Sequence, residues 1–217
     1  MEYGIQMYSV RDLTKESLDE ARRQVAELGY KFVEFAGFFG HTAEEVKGML
    51  DKYGLKVSGT HTGWQEIAEH FEETVAFHKA IGNKNIIIPG ADLGNQEKLD
   101  AFIKMANEFQ PKLAAEGITL GYHNHDHEFK LRIGQKTVWE WLWREADGDD
   151  LRQVTATPRF SSSVLQELDC GNCVLGGGDP VAWIDRFPGR IPCVHLMPAI
   201  ADAKGHETRR GRAWHRA

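Results

Sequence analysis

The sequence has 217 residues, of which 41% are hydrophobic and 27% are charged, with 7 prolines and 3 cysteines. These values are typical of a globular protein and exclude a disordered, collagen-like or disulfide-stapled chain. No apolar run approaches the roughly 18 residues of a membrane span, and the first ten residues do not resemble a secretory signal. We therefore expect no membrane partner. Because an odd number of cysteines suits a reducing compartment, we expect a cytoplasmic location.

The charge is unevenly distributed along the chain. The formal net charge is −6, but residues 201–217 hold five basic and two acidic side chains, which leaves −9 for residues 1–200. Nucleic-acid affinity comes from neutralising phosphates with basic groups, so this acidic body argues against a nucleic-acid partner. Residues 201–217 form an atypical basic tail, and we predict a single domain over residues 1–200.

Short apolar runs alternate with amphipathic stretches of about a dozen residues, which is typical of a parallel sheet with connecting helices. The runs are rich in Ile and Val and are bounded by Gly, as expected for strands that are buried on both faces. They begin near Gly4, Lys31, Lys56, Asn85, Ile118, Leu165 and Pro192.

Helix-capping patterns lie between these runs. Thr14 is predicted to cap a helix that continues to Leu28 and ends at Gly29. Thr42 and Glu45 have the spacing of a capping box at the start of the next helix.

Later in the chain, Val138–Trp143 reads VWEWLW and predicts a helix that packs tryptophans. The three glycines at 176–178 lack a Walker lysine and predict a flexible loop rather than a phosphate cradle. Asp179 and Pro180 fit an N-cap and the first helical position, with the helix ending before Pro188.

The predicted strands begin 25 to 47 residues apart, without a change of character halfway along the chain. No GxGxxG motif follows the first strand, so a dinucleotide-binding fold is not supported. The spacing favours an α/β fold in which about seven parallel strands form a wound barrel, over an open sheet made of two halves.

Polar and ionisable side chains stand where these apolar runs end. In a βα barrel the carboxyl ends of the strands meet at one face and form the active site. Imidazoles and carboxylates without a thiolate set suit a divalent ion such as Mn²⁺, Zn²⁺ or Co²⁺. The candidates are Glu34, His61, His123, Asn124, His125, Asp169, Asn172 and His195.

Simpler interpretations remain open for several residues. Any single histidine could be an ordinary core or surface side chain, and we expect the histidines at 41, 70 and 78 to be solvated. Glu128 could lie in the pocket or in a loop, and it is not among the predicted ligands. Cys170 and Cys173 form a CxxC pair, but a redox dithiol usually opens a helix, whereas here we expect a glycine-rich loop.

Four segments together identify a family resemblance: GIQMYSVRD, GYKFVEFAG, LGYHNHDHEF and LDCGNCVLGGGDPVAWIDRFPGRIPCVHL. Between Gly4 and Leu196 the chain resembles the xylose isomerase-like barrel family, also called sugar phosphate isomerases/epimerases. This resemblance implies a (β/α)8 barrel with a divalent metal at its carboxyl end. The usual ligands in that family are a Glu, an Asp, a His and a Glu on strands five to eight.

Residue by residue, Asp169 and His195 match the second and third of those ligands. The strand-five glutamate position falls on His123, as in the branch with a YHNH or YHHH motif, which includes relatives of inosose dehydratase. Where the family has Lys-Asp or Lys-Glu after VHL, this chain has Met197 followed by proline. The tail that follows has no strand pattern, so we expect the eighth unit to be missing or altered.

The resemblance implies a metal-dependent isomerase or epimerase of a sugar, sugar phosphate or cyclitol, acting in carbohydrate metabolism through an enediolate. Two alternatives stay open: a dehydratase or lyase that uses the same site, and a truncated, inactive barrel that an oligomer could cover. DNA-repair endonucleases share the fold, but the acidic body disfavours them. The expected roles are metal binding for His123, Asp169 and His195, proton transfer for Glu34 or His125, and hydroxyl binding for His61 and Asn172.

Overall fold

The structure is a computed structural model that describes residues 3–143 and 159–197, together with the backbone at 200–201 and 207–208. The chain forms two compact units, residues 1–91 with 105–122 and residues 92–104 with 123–217. Most of the predicted tail at 201–217 lies outside the described residues, but the expectation that it contains no strand is wrong, because Ile200–Ala201 and Glu207–Thr208 pair as antiparallel strands.

The strands of the described residues are β1 Gly4–Gln6, β2 Phe32–Phe35, β3 Lys56–His61, β4 Asn85–Ile88, β5 Thr119–His123, β6 Arg132–Ile133, β7 Lys136–Thr137, β8 Leu165–Asp169, β9 Cys193–His195, β10 Ile200–Ala201 and β11 Glu207–Thr208. The helices are a 3-10 turn Met7–Val10 and α1 Arg11–Glu16, α2 Leu18–Glu27, α3 Ala43–Tyr53, α4 Trp64–Glu69, α5 Phe71–Ala80, α6 Gln96–Ala115, α7 His127–Lys130, α8 Val138–Trp143, α9 Cys170–Leu175 and α10 Pro180–Arg186.

Strands β1 to β5 are parallel and pair in chain order. All seven predicted strands are present, and each begins within one residue of its predicted start. Strands β2, β4, β5 and β8 are mostly buried, as their apolar runs indicated, whereas β1 and β9 have no fully buried residue. The core of the first unit comprises Met7, Leu18, Ala21, Val25, Val33, Phe35, Val46, Leu50, Leu55 and Ile81.

The helix ends of the first unit follow the sequence signals with one correction. The capping box is present, since Glu45 N–H donates to Thr42 Oγ1 and Thr42 N–H donates to Glu45 Oε2. The predicted helix that starts at Thr14 is wrong, because Thr14 lies inside α1 and its hydroxyl donates to the Arg11 carbonyl. Ser17 has an extended backbone and caps α2 instead, by accepting from Glu20 N–H.

In the second unit, β8 and β9 are parallel, and Asp169 lies opposite His195 in their register. Trp139 and Trp143 of α8 are fully buried, which confirms the helix predicted from VWEWLW. Asp179 caps α10 by accepting from two backbone N–H groups, as predicted.

The glycines at 176–178 lie in a loop between α9 and α10, as predicted, and two of them are closely packed. A Cβ on Gly178 would lie 2.7 Å from Cys173 Sγ, and one on Gly176 would overlap Phe129 and come within 2.8 Å of the Asp126 carbonyl. These glycines allow α7 and the end of α9 to approach each other.

The main sheet has the strand order β1-β2-β3-β4-β5-β8-β9. Helices alternate with its strands along the chain. Seven parallel strands within the described residues confirm the α/β class and the incomplete TIM barrel that the sequence predicts. No helix among those residues is long and apolar enough to cross a membrane.

Candidate active site

Three neighbouring strands bring a carboxylate and two imidazoles together in the second unit. Glu167 Oε2 of β8 lies 3.2 Å from His123 Nδ1 of β5 and 3.5 Å from His195 Nε2 of β9. Ligand atoms of all three side chains lie within 4.8 Å of one another. His123 and Glu167 are buried, and the His195 side chain is only 12% exposed. The sequence predicted both histidines but did not single out Glu167.

Asp169 adds a second carboxylate from the same strand. It lies two residues after Glu167, and side chains with this spacing share one face of a strand. Its Oδ2 is 3.9 Å from His195 Nδ1, while its Oδ1 accepts from Asn172 N–H at 2.8 Å. Burial raises the pKa of the Asp169 carboxyl above its usual value, although the Asn172 N–H and His195 act in the opposite direction.

Two asparagines fix the backbone around this group. Asn124 Nδ2 donates to the Asp169 carbonyl at 3.1 Å, and Asn124 Oδ1 accepts from Asp169 N–H at 2.8 Å. Asn172 Nδ2 donates to the Asn124 carbonyl at 3.3 Å. The structure therefore joins the predicted residues Asn124, Asp169 and Asn172 in one buried network.

The chemistry of this cluster fits a divalent metal. Two buried carboxylates need positive charge nearby, because a buried unpaired charge is strongly unfavourable. Asp169 Oδ2 is buried and has no hydrogen-bond partner among the described residues. Imidazole nitrogens and carboxylate oxygens suit Zn²⁺, Mn²⁺ or Co²⁺. Within this unit His123, Glu167 and His195 would hold the ion. Asp169, which the sequence predicted as a ligand, borders them through its contact with the other nitrogen of His195.

The first unit contains a polar group formed by Gln6, Glu34 and His61. Glu34 is buried at the end of β2, and its Oε2 accepts from Gln6 Nε2 at 2.8 Å. His61 Nε2 lies 3.7 Å from the same oxygen. A Cβ on Gly59 would lie 3.0 Å from Glu34 Oε1, so the glycine leaves room for the carboxylate. The structure thus brings the predicted Glu34 and His61 together.

His125 lies in the turn after β5 and contacts its neighbours on both sides. Its ring is 5.0 Å from the His123 ring and stacks on the His127 ring at 5.4 Å. Its backbone N–H donates to Glu128 Oε2 at 2.8 Å, and Glu128 is wholly buried. The sequence did not decide whether Glu128 lies in the pocket or in a loop. In the structure Glu128 is buried and stabilises this turn through its hydrogen bond to His125.

His78 is buried, so the expected solvation of this histidine is wrong. Its imidazole nitrogens contact the side chains of Thr60, Thr62 and Asn83 at 3.3 to 3.4 Å. Burial lowers the pKa of His78 to about 4, so the ring is neutral at neutral pH. Its position on the inner face of α5 agrees with this, since Thr74, four residues earlier, is also buried.

The two cysteines of the CxxC segment lie in a helix, which corrects the expected loop. Helix α9 begins at Cys170, directly after β8. Burial raises the pKa of both thiols above the usual value, to about 12 for Cys173. The thiolate is the reactive form, so these thiols are not activated for redox chemistry.

Comparisons with known proteins identify the family and the fold. The sequence model of the family described as xylose isomerase-like TIM barrel matches residues 22–213. The rhizopine catabolism protein MocC of Rhizobium meliloti is 22% identical over 210 residues, which cover 85% of this chain and 58% of that protein. The inosose dehydratase of Clostridium beijerinckii is 25% identical, with 88% and 67% covered.

Among solved structures, a sugar phosphate isomerase/epimerase from Parabacteroides distasonis has a TM-score of 0.71 and is 24% identical. The alignment covers 94% of this chain and 81% of that one, and it supports the fold. The chain spans about three fifths of the length of the curated relative MocC.

Proposed function

Because this chain belongs to the xylose isomerase-like TIM barrel family, we propose that it is a metal-dependent isomerase or epimerase of a sugar, sugar phosphate or cyclitol. The observation that carries the proposal is the buried group in which Glu167 lies within 3.5 Å of both His123 and His195. Burying carboxylates is energetically unfavourable, so packing alone does not explain their presence beside two imidazoles. Carboxylates and imidazoles together are a typical donor set for a divalent ion.

His123, Asp169 and His195 hold the metal in this proposal, as expected from the sequence, with Glu167 as a further ligand. A divalent ion bound there would polarise a substrate carbonyl and its neighbouring hydroxyl, and would stabilise the enediolate that forms when the proton between them is removed. Asp169 is already oriented for this role, because Asn172 N–H fixes one of its oxygens and leaves the other available.

The acid–base work is assigned to Glu34, with His125 as the second candidate. A proton carrier must be held at one orientation, and Gln6 holds the Glu34 carboxylate by a 2.8 Å hydrogen bond. His61 lies beside the same carboxylate and has a ring nitrogen that can bind a substrate hydroxyl. Asn172 is the corresponding hydroxyl-binding residue of the second unit. A small sugar or cyclitol is the partner we propose.

A dehydratase or lyase is the second candidate function. It uses the same proton abstraction, but a β-hydroxyl then leaves instead of a proton returning. The similarity to an inosose dehydratase over 88% of this chain favours it, as does the YHNH motif. Incubation with ketoses and with inososes separates the two, since an epimerase conserves the mass of its substrate and a dehydratase removes one water.

The test measures metal content and turnover on both substrate panels. Asp169→Ala and His195→Ala should reduce bound Mn²⁺ or Co²⁺ and abolish turnover, while His70→Ala, at an exposed position, should change neither. Unchanged metal binding in both site variants would contradict the assignment. A wild-type protein that binds metal but converts neither panel would favour the inactive barrel. Cytoplasmic location and homo-oligomer formation remain predictions, the latter checked by size-exclusion chromatography.

A further inference from the structure

The turn after β5 and the start of α7 carry a second group of metal-ligand side chains, distinct from the ligands assigned above. His125, His127 and Glu128 each offer a ligand atom, and these atoms all lie within 4.8 Å of one another. All three belong to the second unit, and they follow one another within four residues of chain. Their relative placement therefore depends on a local turn and not on long-range packing.

Glu128 is the fixed member of the group. Its carboxylate is fully buried, and its Oε2 accepts from the backbone N–H of His125 at 2.8 Å. The other oxygen, Oε1, lies 3.2 Å from His127 Nε2. Two ligands of a tetrahedral zinc ion are separated by about 3.4 Å, given metal–ligand distances near 2.1 Å. This carboxylate and this imidazole already have that spacing.

The second imidazole distinguishes this group from an ordinary ion pair. The ring of His125 stacks on that of His127, with 5.4 Å between centroids and 17° between planes. A His–Glu ion pair would explain the 3.2 Å contact, but it does not need a second imidazole beside it. The His127 side chain is 54% exposed, so an ion can enter from solvent and the ring can move the short distance needed to close around it.

We propose that His125, His127 and Glu128 form a second divalent-cation site, which takes Zn²⁺ or Co²⁺ and leaves its remaining coordination to water. Two imidazoles and one carboxylate are the donor set of zinc sites with an open position, whereas Mg²⁺ and Ca²⁺ prefer oxygen ligands. This site stands independently of the proposed activity. With an ion bound, His125 is a ligand, and the proton transfer of the proposed reaction falls to Glu34.

The test is a titration of the full chain with Co²⁺. Binding is measured by calorimetry and by the visible absorption of tetrahedral Co²⁺. The wild type should bind two ions and His127→Ala one. The double variant Glu167→Gln/His195→Ala, which removes ligands of the first centre only, should keep one ion. Adding His127→Ala to that double variant should weaken the remaining site at least about tenfold. His127 is chosen because it is exposed, so its replacement should not prevent folding.

His70→Ala is the matched control, since His70 is also exposed and lies 3.1 Å from a carboxylate, that of Glu73, but without the second imidazole. It should keep both ions. Two tight ions in His127→Ala, or none in Glu167→Gln/His195→Ala, would overturn the second site. One ion that is lost in His127→Ala but not in the double variant would support this site while contradicting the first, so the two proposals fail separately.

Discussion

The carboxylate of Glu167 lies 3.2 Å from the imidazole of His123, and both side chains are buried on neighbouring strands. The same carboxylate oxygen is 3.5 Å from His195 on the other side. One buried carboxylate therefore lies between two imidazoles, and it connects the middle of β8 to the last residues of β5 and β9. A substitution that removes the charge of Glu167 and keeps its shape tests metal binding without disturbing the packing.

We expect Glu167→Gln to weaken Mn²⁺ or Co²⁺ binding about tenfold to a hundredfold, because an amide oxygen is a poorer ligand and orienting partner than a carboxylate. Isothermal titration of the purified variant measures this. Glu116→Gln is the control, since Glu116 is an exposed carboxylate that pairs with Lys79. An affinity equal to that of the wild type would remove Glu167 from the metal centre.

Gln6→Leu should lower the turnover number of the proposed reaction about tenfold to a hundredfold, the range that corresponds to a hydrogen bond to a charged group. The substitution removes the donor that orients Glu34 and leaves the strand intact. Steady-state kinetics should show the loss mainly in kcat and not in KM. If kcat is unchanged, Glu34 is not the proton carrier that we propose.

His78 should make the protein sensitive to acid. Its folded-state pKa is about 4, below the ordinary value of 6.5, so the unfolded chain binds the proton more readily. The contribution to stability is complete above pH 6.5 and is lost as the pH falls towards 4, by up to about 3 kcal/mol. His78→Gln should flatten this part of the curve of unfolding free energy against pH, measured by urea denaturation. His70→Gln, at an exposed position, should not flatten it.

Gly176→Ala should destabilise the fold by about 1–3 kcal/mol, because the new methyl group overlaps Phe129 and the Asp126 carbonyl. Gly48→Ala is the matched control, since Gly48 lies in helix α3 with no atom near the added Cβ. That control should stabilise the protein by about 0.5–1 kcal/mol. Thermal denaturation of the two variants checks the opposite signs, and a neutral Gly176→Ala would contradict the close packing.

The thiols should react at very different rates with a disulfide reagent at neutral pH. Cys193 is exposed, whereas Cys173 is buried with a pKa of about 12. One thiol should therefore react quickly, and Cys193→Ser should abolish that phase. A fast phase that persists in Cys193→Ser would reopen the redox interpretation of the CxxC segment.

The strands were predictable from sequence because each is an apolar run bounded by glycine or polar residues. The end of each run also indicated which polar residues would converge, and the structure places Asp169 opposite His195 in register. Glu167 escaped notice because it lies inside β8, beside Gln166, and not at the carboxyl end of the strand where active-site residues are expected. Its signal was present nonetheless, since it lies two residues before Asp169 and therefore shares its face.

Other differences between prediction and structure arose where the sequence allows two local conformations or environments. Thr14 and Ser17 are both good capping residues, and the extended backbone at Ser17 decides between them. His78 occupies the buried face of α5, where a partner set on another element makes an imidazole tolerable. Such partners come from distant positions, so a reading of the helix alone does not reveal them.

The Asn124 side chain acts as a substitute peptide group. Its amide offers one donor and one acceptor to the backbone of Asp169, in the manner of a neighbouring strand. Strand-like pairing thus continues one residue past the end of β5, and the main chain that carries Asp169 is fixed there. An aspartate in its place would keep the acceptor but lose the donor. In the proposed reaction, the position of Asp169 therefore depends on an amide that need not contact the substrate.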